Sequence, residues 1–304
     1  MSRSSEKAMK AMQQFLNENV AENMSMDEAN ELLRKFTDDY NSSLPEKVTE
    51  KTAKTADDYL ELAEEAATKA KAEKYIKKAL ELEPDNMDAV SASLDLIEDN
   101  DTWEYYQRLS EAVKNGTAFM EKEGLMDEKN IGKFWGILET RPYMRLLNRY
   151  AAFMAEAGMM TLAAREYEQM IRLSENDNLG VRYSLMHIYA FLEQEEPALA
   201  LHKKYDSYEE TQMLLPLSVL YFKKGEFDKG EEYLKRLVAA NKDAKKFFKA
   251  IKREKLDHYA DEISDYGYQP FTIQELIVEL IENSFLFKAV PLYLAWAYEK
   301  TRNM

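Results

Sequence analysis

The chain has 304 residues, which is long enough to bury a large core, either as one solenoid or as two packed units. Its 45% hydrophobic and 32% charged residues come with only 9 Gly and 7 Pro, a balance that favours helices over a turn-rich β fold. The net charge of −15 repels nucleic acid phosphates and anionic membrane surfaces. We therefore expect an all-α protein that binds neither nucleic acid nor membrane.

Several kinds of chemical site lack the residues that they need. The chain contains no Cys, which excludes disulfides, thiolate zinc sites and cysteine nucleophiles. His187, His202 and His258 do not have the spacing of metal ligands. The sequence also lacks a glycine-rich phosphate loop, a Gly-x-Ser-x-Gly elbow and a His-Glu-x-x-His helix. We expect a protein that is not an enzyme and holds no metal or cofactor.

The hydropathy pattern gives an expectation for the cellular location. The first residues lead into a polar amphipathic stretch that has no apolar core of signal-peptide length. Nowhere do about 18 uncharged apolar residues follow one another, as a membrane-spanning helix would require. We therefore expect a cytoplasmic protein.

Residues 1–52 are predicted to form a helical segment and a connector. Ser25 and Glu28 have the spacing of a capping box, so a helix is predicted from there to about Tyr40. Residues 41–54 are polar, contain Pro45 and lack helical apolar spacing, which is typical of a connector.

Residues 53–258 repeat the pattern of a helical hairpin. The clearest copy is Tyr221-x3-Gly225-x-Phe227-x2-Gly230-x3-Leu234, which is the tetratricopeptide signature. Gly225 is expected to end the first helix in a left-handed conformation. Gly230 is expected to let the two helices of the hairpin approach closely.

Small residues recur at the period of this hairpin. Ala163, Ala198 and Gly230 lie 35 and 32 residues apart, which brackets the 34-residue period of the tetratricopeptide repeat. A fourth hairpin is predicted upstream, where the helix that contains Ala79 is stopped by Pro84 and a turn. The pattern therefore predicts a solenoid of helical hairpins.

Two regions depart from the repeat. Residues 87–144 keep helical spacing but lose the period, so irregular helices are predicted there. In residues 259–304, Thr272 and Glu275 have the spacing of a second capping box, and a last helix is predicted to begin at Pro291. We expect these C-terminal helices to cap the repeats.

Three strings in the sequence carry a resemblance to a known family. They are FWGILETRPYMR at residues 134–145, RLSENDNLGVRY at 172–183 and ALELEPDNMDA at 79–89. Over residues 57–251 the chain resembles bacterial tetratricopeptide-repeat proteins akin to the suppressor of tumorigenicity seven group. The resemblance implies a helical-repeat fold and gives no catalytic residues to carry over. The chain has Glu175 where the family pattern has Pro, which concerns only the local turn.

Three arginines form the most distinctive polar feature. Arg141, Arg145 and Arg149 are spaced four apart, so they share one helical face if the helix continues through Pro142. Such a face suits bidentate binding of a carboxylate-bearing peptide or an acidic helix. The alternative is structural, because the same arginines can pair with glutamates of their own or neighbouring repeats. The sequence leaves both interpretations open.

The repeat register also predicts a binding groove, because the first helices of such hairpins line the concave face of the superhelix. Besides Arg141, the groove candidates are Arg145, Asn148, Arg149, Tyr183, His187, Val219 and Phe222. Gln212 and Pro216 stand where the carboxylate clamp of chaperone adaptors needs cations, so that type of adaptor is not expected. Residues 176–180 are predicted to be a turn with an Asn or Asp cap on the next helix.

These observations lead to two hypotheses for the function. The first is a non-catalytic scaffold that binds a protein or peptide, expected to be acidic or carboxylate-terminated, on the concave face of the superhelix. The alternative is a structural subunit that associates with itself through the apolar C-terminal residues 292–298. The identity of the partner and the oligomeric state stay open.

Overall fold

The computed structural model describes residues 3–20, 24–42, 48–97, 101–264 and 267–304, with side chains from residue 5 onward. All the regular secondary structure in these segments is helical, so the predicted all-α class is confirmed. The α-helices in chain order are α1 Arg3–Asn19, α2 Met26–Ser42, α3 Ala56–Glu64, α4 Lys69–Leu82, α5 Met87–Leu94, α6 Thr102–Lys122, α7 Arg141–Glu156, α8 Met160–Leu173, α9 Val181–Phe191, α10 Glu195–Lys204, α11 Thr211–Lys223, α12 Phe227–Ala240, α13 Ala244–Lys252, α14 Asp257–Ala260, α15 Ile273–Glu282, α16 Ser284–Ala289 and α17 Pro291–Thr301.

The chain divides into two compact units, Met1–Leu146 and Leu147–Met304, and the division falls inside α7. In the first unit α3 packs on α4, α4 on α5, and α5 on α6. In the second unit α9 packs on α8, α10 and α11, and α11 packs along α12. The domain boundaries predicted after residues 52 and 258 stay predictions.

Polar side chains satisfy the free N–H groups at several helix starts. The capping box before α2 is confirmed, since the N–H of Glu28 donates to Ser25 Oγ at 3.3 Å and the N–H of Ser25 donates to the Glu28 carboxylate at 2.8 Å. Helix α2 ends at Ser42, slightly beyond the predicted end. Residues 43–47 of the predicted connector, including Pro45, lie outside the described residues.

One kind of turn ends the helices α7, α9 and α11 in the second unit. The turn residue has a positive φ of 79° at Gly158, 58° at Glu193 and 76° at Gly225. The next N–H donates to a carbonyl five residues back, in the pairs Met159 to Met154 (2.8 Å), Gln194 to Tyr189 (2.9 Å) and Glu226 to Tyr221 (2.9 Å). The left-handed conformation predicted for Gly225 is confirmed, and Glu193 adopts the same conformation without being glycine.

Gly230 lies where α11 and α12 come closest. A Cβ atom there would lie 3.3 Å from the carbonyl oxygen of Ser218 and 3.4 Å from the Trp296 ring. The Ser218 hydroxyl also donates to the Gly230 carbonyl at 2.8 Å, which joins the two helices directly. The predicted close approach is confirmed, and the corresponding residues Ala163 and Ala198 are fully buried.

The C-terminal helices pack against the hairpins of the second unit. Helix α15 lies against α11 and α13, α16 against α9, and α17 against α12 and α13. Helix α17 begins at Pro291 as predicted. The rings of Tyr293 and Trp296 lie 5.5 and 5.1 Å from the ring of Phe222 on α11. The C-terminal segment therefore covers part of the surface formed by the first helices α9 and α11.

The capping box predicted at the start of α15 was wrong, because neither of its two hydrogen bonds joins Thr272 and Glu275. Thr272 caps the helix, accepting from the N–H of Gln274 at 3.2 Å. The Glu275 carboxylate, however, accepts from the N–H of Phe271 at 2.7 Å. Phe271 has a positive φ of 57°, and the turn there gives the buried Glu275 a donor one residue earlier than the capping pattern assumes.

Substituting Gly230 tests the close approach of α11 and α12. Gly230→Leu should lower the free energy of unfolding by about 1–3 kcal/mol, because the new side chain overpacks the contact with Ser218 and Trp296. Gly136→Leu is the control, since a Cβ at Gly136 meets nothing within 4 Å. Urea denaturation of both variants gives the measurement, and equal stability of Gly230→Leu and the wild type would contradict the packing.

Substituting Glu193 tests the cost of the left-handed turn. A left-handed conformation costs a non-glycine residue roughly 1–2 kcal/mol, part of which is offset by the larger unfolded-state entropy of glycine. Glu193→Gly should therefore raise the free energy of unfolding by about 0.5–1 kcal/mol. The substitution also removes the ion pair of Glu193 with Lys223, which spans 3.5 Å and is half exposed on the glutamate side, so it stabilises the fold little. Gly225→Ala, the reverse change in the equivalent turn, should lower the melting temperature.

Candidate functional site

The second unit contains a cavity of about 580 Å³. Residues of α7, α8 and α9 line one part of it, and residues of α15 and α16 line another. The polar and aromatic lining residues are Asn148, Glu156, Tyr167, Tyr183, Ser184, Gln212, Tyr268, Glu279, Glu282, Asn283 and Phe285. This volume is in the range of small-ligand and side-chain pockets, and the lining offers both hydrogen-bonding and aromatic groups.

Helical spacing explains how these residues converge. Asn148, Ala152 and Ala155 stand four and three residues apart, so α7 presents them on one face. Because two of the three are alanine, this face leaves space that larger side chains would fill. Glu279 and Glu282 are three residues apart on α15 and likewise face the same cavity.

A buried histidine contacts a buried carboxyl group that lines the cavity. His187 Nδ1 lies 2.8 Å from the backbone carbonyl of Tyr183 and must donate to it, because a carbonyl only accepts. His187 Nε2 lies 3.1 Å from Glu279 Oε2, and the two side chains are 0% and 2% exposed. Nε2 has no other polar partner among the described residues, so it needs a proton from Glu279.

The electrostatics of this pair agree with that proton position. Burial, together with the negative charges of Glu282 and Glu275, raises the pKa of Glu279 well above its usual range. Burial lowers the pKa of His187 to about 4. Both directions favour a neutral pair in which protonated Glu279 donates to the neutral imidazole of His187. A neutral pair avoids the cost of burying two charges.

A second buried network fixes the start of α15. The Asn241 side-chain amide donates to Thr211 Oγ1 and to the carbonyl of Thr272, both at 3.1 Å, and lies 3.5 Å from the Glu275 carboxylate. Burial raises the pKa of Glu275 as well. These bonds join the end of α12 to the starts of α11 and α15. They hold the first turn of α15, the helix that carries Glu279.

Tyr183 is held at the cavity by a network around Arg182. The Arg182 guanidinium lies 4.1 Å from the centre of the Tyr183 ring and 3.1 Å from Asp177. Asp177 accepts from the N–H groups of Val181 at 2.8 Å and Arg182 at 3.0 Å, so an Asp of the predicted turn satisfies the first N–H groups of α9, although the N-cap residue is Gly180. The Tyr183 hydroxyl donates to Glu210 at 3.1 Å.

The arginine stripe is distributed over both units. Helix α7 runs from Arg141 to Glu156 without a break at Pro142. The three arginines are therefore on one helical face, as their spacing predicted for a continuous helix. In the first unit Arg145 donates to Asp88 at 2.6 and 3.1 Å and to Glu6 at 2.8 Å. Arg141 is buried and lies 3.8 Å from Glu6. These two guanidinium groups are thus engaged by carboxylates of their own unit, and Arg149 belongs to the second unit.

Some of the predicted groove residues line the cavity, and others are packed between helices or lie away from it. Asn148 and Tyr183 line the cavity, and His187 lies behind its wall in contact with Glu279. Val219 and Phe222 are buried, and Phe222 packs against α17. The other predicted residues of this groove, namely Arg141, Arg145 and Arg149, are not among the residues that line the cavity.

Sequence reasoning missed the residues that the C-terminal segment contributes. Glu279 stands between Val278 and Leu280, in a helix whose other faces are apolar. An acidic residue inside such a stretch was the available signal for a buried carboxyl group. Tyr268 gave no comparable signal, because it lies in the irregular segment before α15 and reaches the cavity by a hydrogen bond from Gln212 at 2.7 Å.

The described segments contain neither a metal-binding cluster nor a helix that could span a membrane. No group of three or more His, Cys, Asp or Glu side chains there is arranged to hold a metal ion. Within the same segments, every helix is too short or too polar to cross a membrane.

Comparisons with known proteins give no assignment. No family model matches the chain, and no curated protein matches its sequence. The resemblance of residues 57–251 to the suppressor of tumorigenicity seven group therefore stays a prediction.

Substituting Glu279 tests the neutral pair. Since the folded-state pKa of Glu279 is raised, the unfolded chain releases its proton first, and this residue destabilises the fold increasingly as the pH rises above about 4.3. Gln is uncharged at any pH and can still donate to His187 Nε2. Glu279→Gln should therefore become more stable than the wild type by up to about 1.4 kcal/mol per pH unit while Glu279 stays protonated in the fold. Urea denaturation at pH 5 and pH 8 gives the two differences, and a difference that shrinks at pH 8 would contradict the neutral pair.

Proposed function

We propose that the chain is a non-catalytic scaffold of tetratricopeptide-like hairpins that binds a segment of another protein in the cavity of its second unit. The repeated left-handed turn at Gly158, Glu193 and Gly225 supports the hairpin arrangement. So do the small buried residues at the helix contacts. A cytoplasmic location and the lack of an enzymatic activity stay predictions.

One observation carries this proposal. The cavity is lined by the first helices of three consecutive hairpins, through Asn148 of α7, Ser184 of α9 and Gln212 of α11. Of these first helices, α9 is already in contact with α16, and α11 with α15. This surface therefore packs against helical segments within its own chain, and the cavity is the part of it that the C-terminal segment leaves unfilled.

The carboxylates that bind Arg145 bear on the expected charge of the partner. An acidic or carboxylate-terminated partner was expected from the arginine stripe. At Arg145 such a partner would compete with Glu6 and Asp88, which already bind the guanidinium group at 2.6–3.1 Å. A charge reversal at Arg145 would therefore damage these contacts within the first unit, whatever its effect on a partner. A substitution in the cavity is a cleaner test.

Filling the cavity should abolish binding of the partner. Ala152 lines the cavity, and Ala152→Trp places a large ring in the space available to a bound segment. Ala239→Trp is the matched control, because Ala239 is exposed on α12. We expect Ala239→Trp to retain the proteins that the wild type captures from a native extract, and Ala152→Trp to capture at least tenfold less of them. Circular dichroism and thermal melting establish first that both variants are folded. A folded Ala152→Trp variant that keeps every partner would disprove the cavity as the binding site.

A second candidate function is self-association through the C-terminal helices. It is favoured by the exposure of two large apolar side chains, Leu292 at 69% and Ile281 at 62%. By contrast, Tyr293 and Ala297 of α17 are turned inward and fully buried. Light scattering separates the two functions. A dimer that Leu292→Glu converts to a monomer favours self-association, whereas a wild-type monomer favours the scaffold.

A further inference from the structure

We propose that the cavity of the second unit receives an organic cation, the ammonium or guanidinium group of a Lys or Arg side chain. This inference rests on the proposed function and specifies the chemistry of the bound segment. It departs from the acidic partner that the arginine stripe suggested.

The charge of the lining is the first argument. Glu156, Glu279 and Glu282 contribute three carboxyl groups, and no Lys, Arg or His is among the lining residues. An anionic group would oppose the ionisation of these carboxyl groups, whereas a cation would favour it. The net charge of −15 adds a long-range attraction for cationic segments in solution.

Glu279 provides the second, independent argument. Its side chain is 2% exposed, yet the residue borders the cavity. Oε2 contacts His187 at 3.1 Å and accepts from Asn283 at 3.4 Å, whereas Oε1 has no hydrogen bond to any described residue. A donor in the cavity would give Oε1 a hydrogen-bond partner.

Aromatic rings complete the arrangement. Tyr167, Tyr268 and Phe285 border the same cavity as the carboxyl groups. The face of an aromatic ring attracts a cation within about 6 Å of its centre. Carboxylates combined with rings suit an organic cation, whose alkyl stem needs apolar contact and whose head needs acceptors. The amides of Asn148 and Gln212 add further acceptors for its N–H groups.

Binding of a cation should be linked to the loss of protons from the glutamates of the cavity. Burial raises the pKa of Glu279 and of Glu282. The negative charges of Glu282 and Glu275 raise the pKa of Glu279 further. A bound cation stabilises the ionised carboxylates, so its entry should be accompanied by release of protons. His187 faces Glu279 from α9, and its neutral imidazole can then donate through Nδ1 only.

The test uses the full chain and a pair of capped peptides of sequence Ala-Ala-Lys-Ala-Ala. One has a free lysine and the other has Nε-acetyl-lysine, which removes the charge and keeps the stem. Titration by NMR in about 0.15 M salt should show the charged peptide binding at least tenfold more tightly. Equal binding of the two peptides, or no binding of the charged one at 10 mM (about the limit of such a titration), would overturn the proposal.

Charge-neutral variants locate the site. Glu279→Gln and Glu282→Gln should each weaken binding of the lysine peptide about tenfold, and Glu232→Gln, the same change on the exposed face of α12, should leave it unchanged. Glu282 is exposed, so its variant remains informative if Glu279→Gln is poorly folded. Equal weakening in all three variants would show attraction to the surface in general and would overturn the assignment.

Two more measurements complete the experiment. Calorimetry of the lysine peptide in phosphate and in Tris at pH 7 should give different heats because protons are released, and equal heats would overturn the role of Glu279. Butylammonium distinguishes the source of the cation, since binding equal to that of the peptide points to a free amine and weaker binding points to a protein side chain. If Ala152→Trp abolishes partner capture while the two peptides bind alike, the proposed function stands and this inference fails.

Discussion

The arrangement of the second unit depends on the contact between His187 and Glu279. Neither side chain can be buried alone, since a carboxyl group or imidazole left without a hydrogen-bond partner inside a protein costs of order 1–3 kcal/mol. The two side chains meet at 3.1 Å between α9 and α15, whereas the main helix neighbours of α15 include α11 and α13. The polar pair fixes the register, and the register determines which side chains of α15 face the cavity.

The C-terminal helices cover part of the surface on which the groove was predicted. The first helices of the hairpins present an inner surface that a partner would be expected to use. Here α15 and α16 occupy much of that surface, and Phe222 packs against α17 in the same way. Contacts within the chain thus cover part of α9 and α11, and residues of both helices also line the cavity of about 580 Å³. A cavity of this volume suits one or a few side chains of a partner.

Local features of the fold were predictable from the sequence because they depend on neighbours in the chain. The left-handed turn at Gly225, the cap at Asp177 and the start of α17 at Pro291 each follow from the backbone preferences of one residue type. The contact of His187 with Glu279 was not predictable in this way, because it depends on the path of the chain through the helices that separate α9 from α15. The same is true of Arg145, whose partners Glu6 and Asp88 are 139 and 57 residues away. The spacing of the arginines correctly indicated that they share one face of α7. It carries no information on which carboxylates bind their guanidinium groups.

The acidic character of the cavity follows from the same long-range pairing. Glu279 is required on α15 as the donor to His187, and this places one carboxyl group at the wall. Glu282 follows three residues later on the same face, where it raises the pKa of Glu279. The raised pKa of Glu279 favours a protonated carboxyl group and a neutral pair with His187. A cation that enters would replace the proton as the positive charge near Glu279, so binding and protonation compete for one carboxyl group. Affinity for a basic side chain should therefore increase with pH over the range in which Glu279 loses its proton, because less work is then needed to ionise the site.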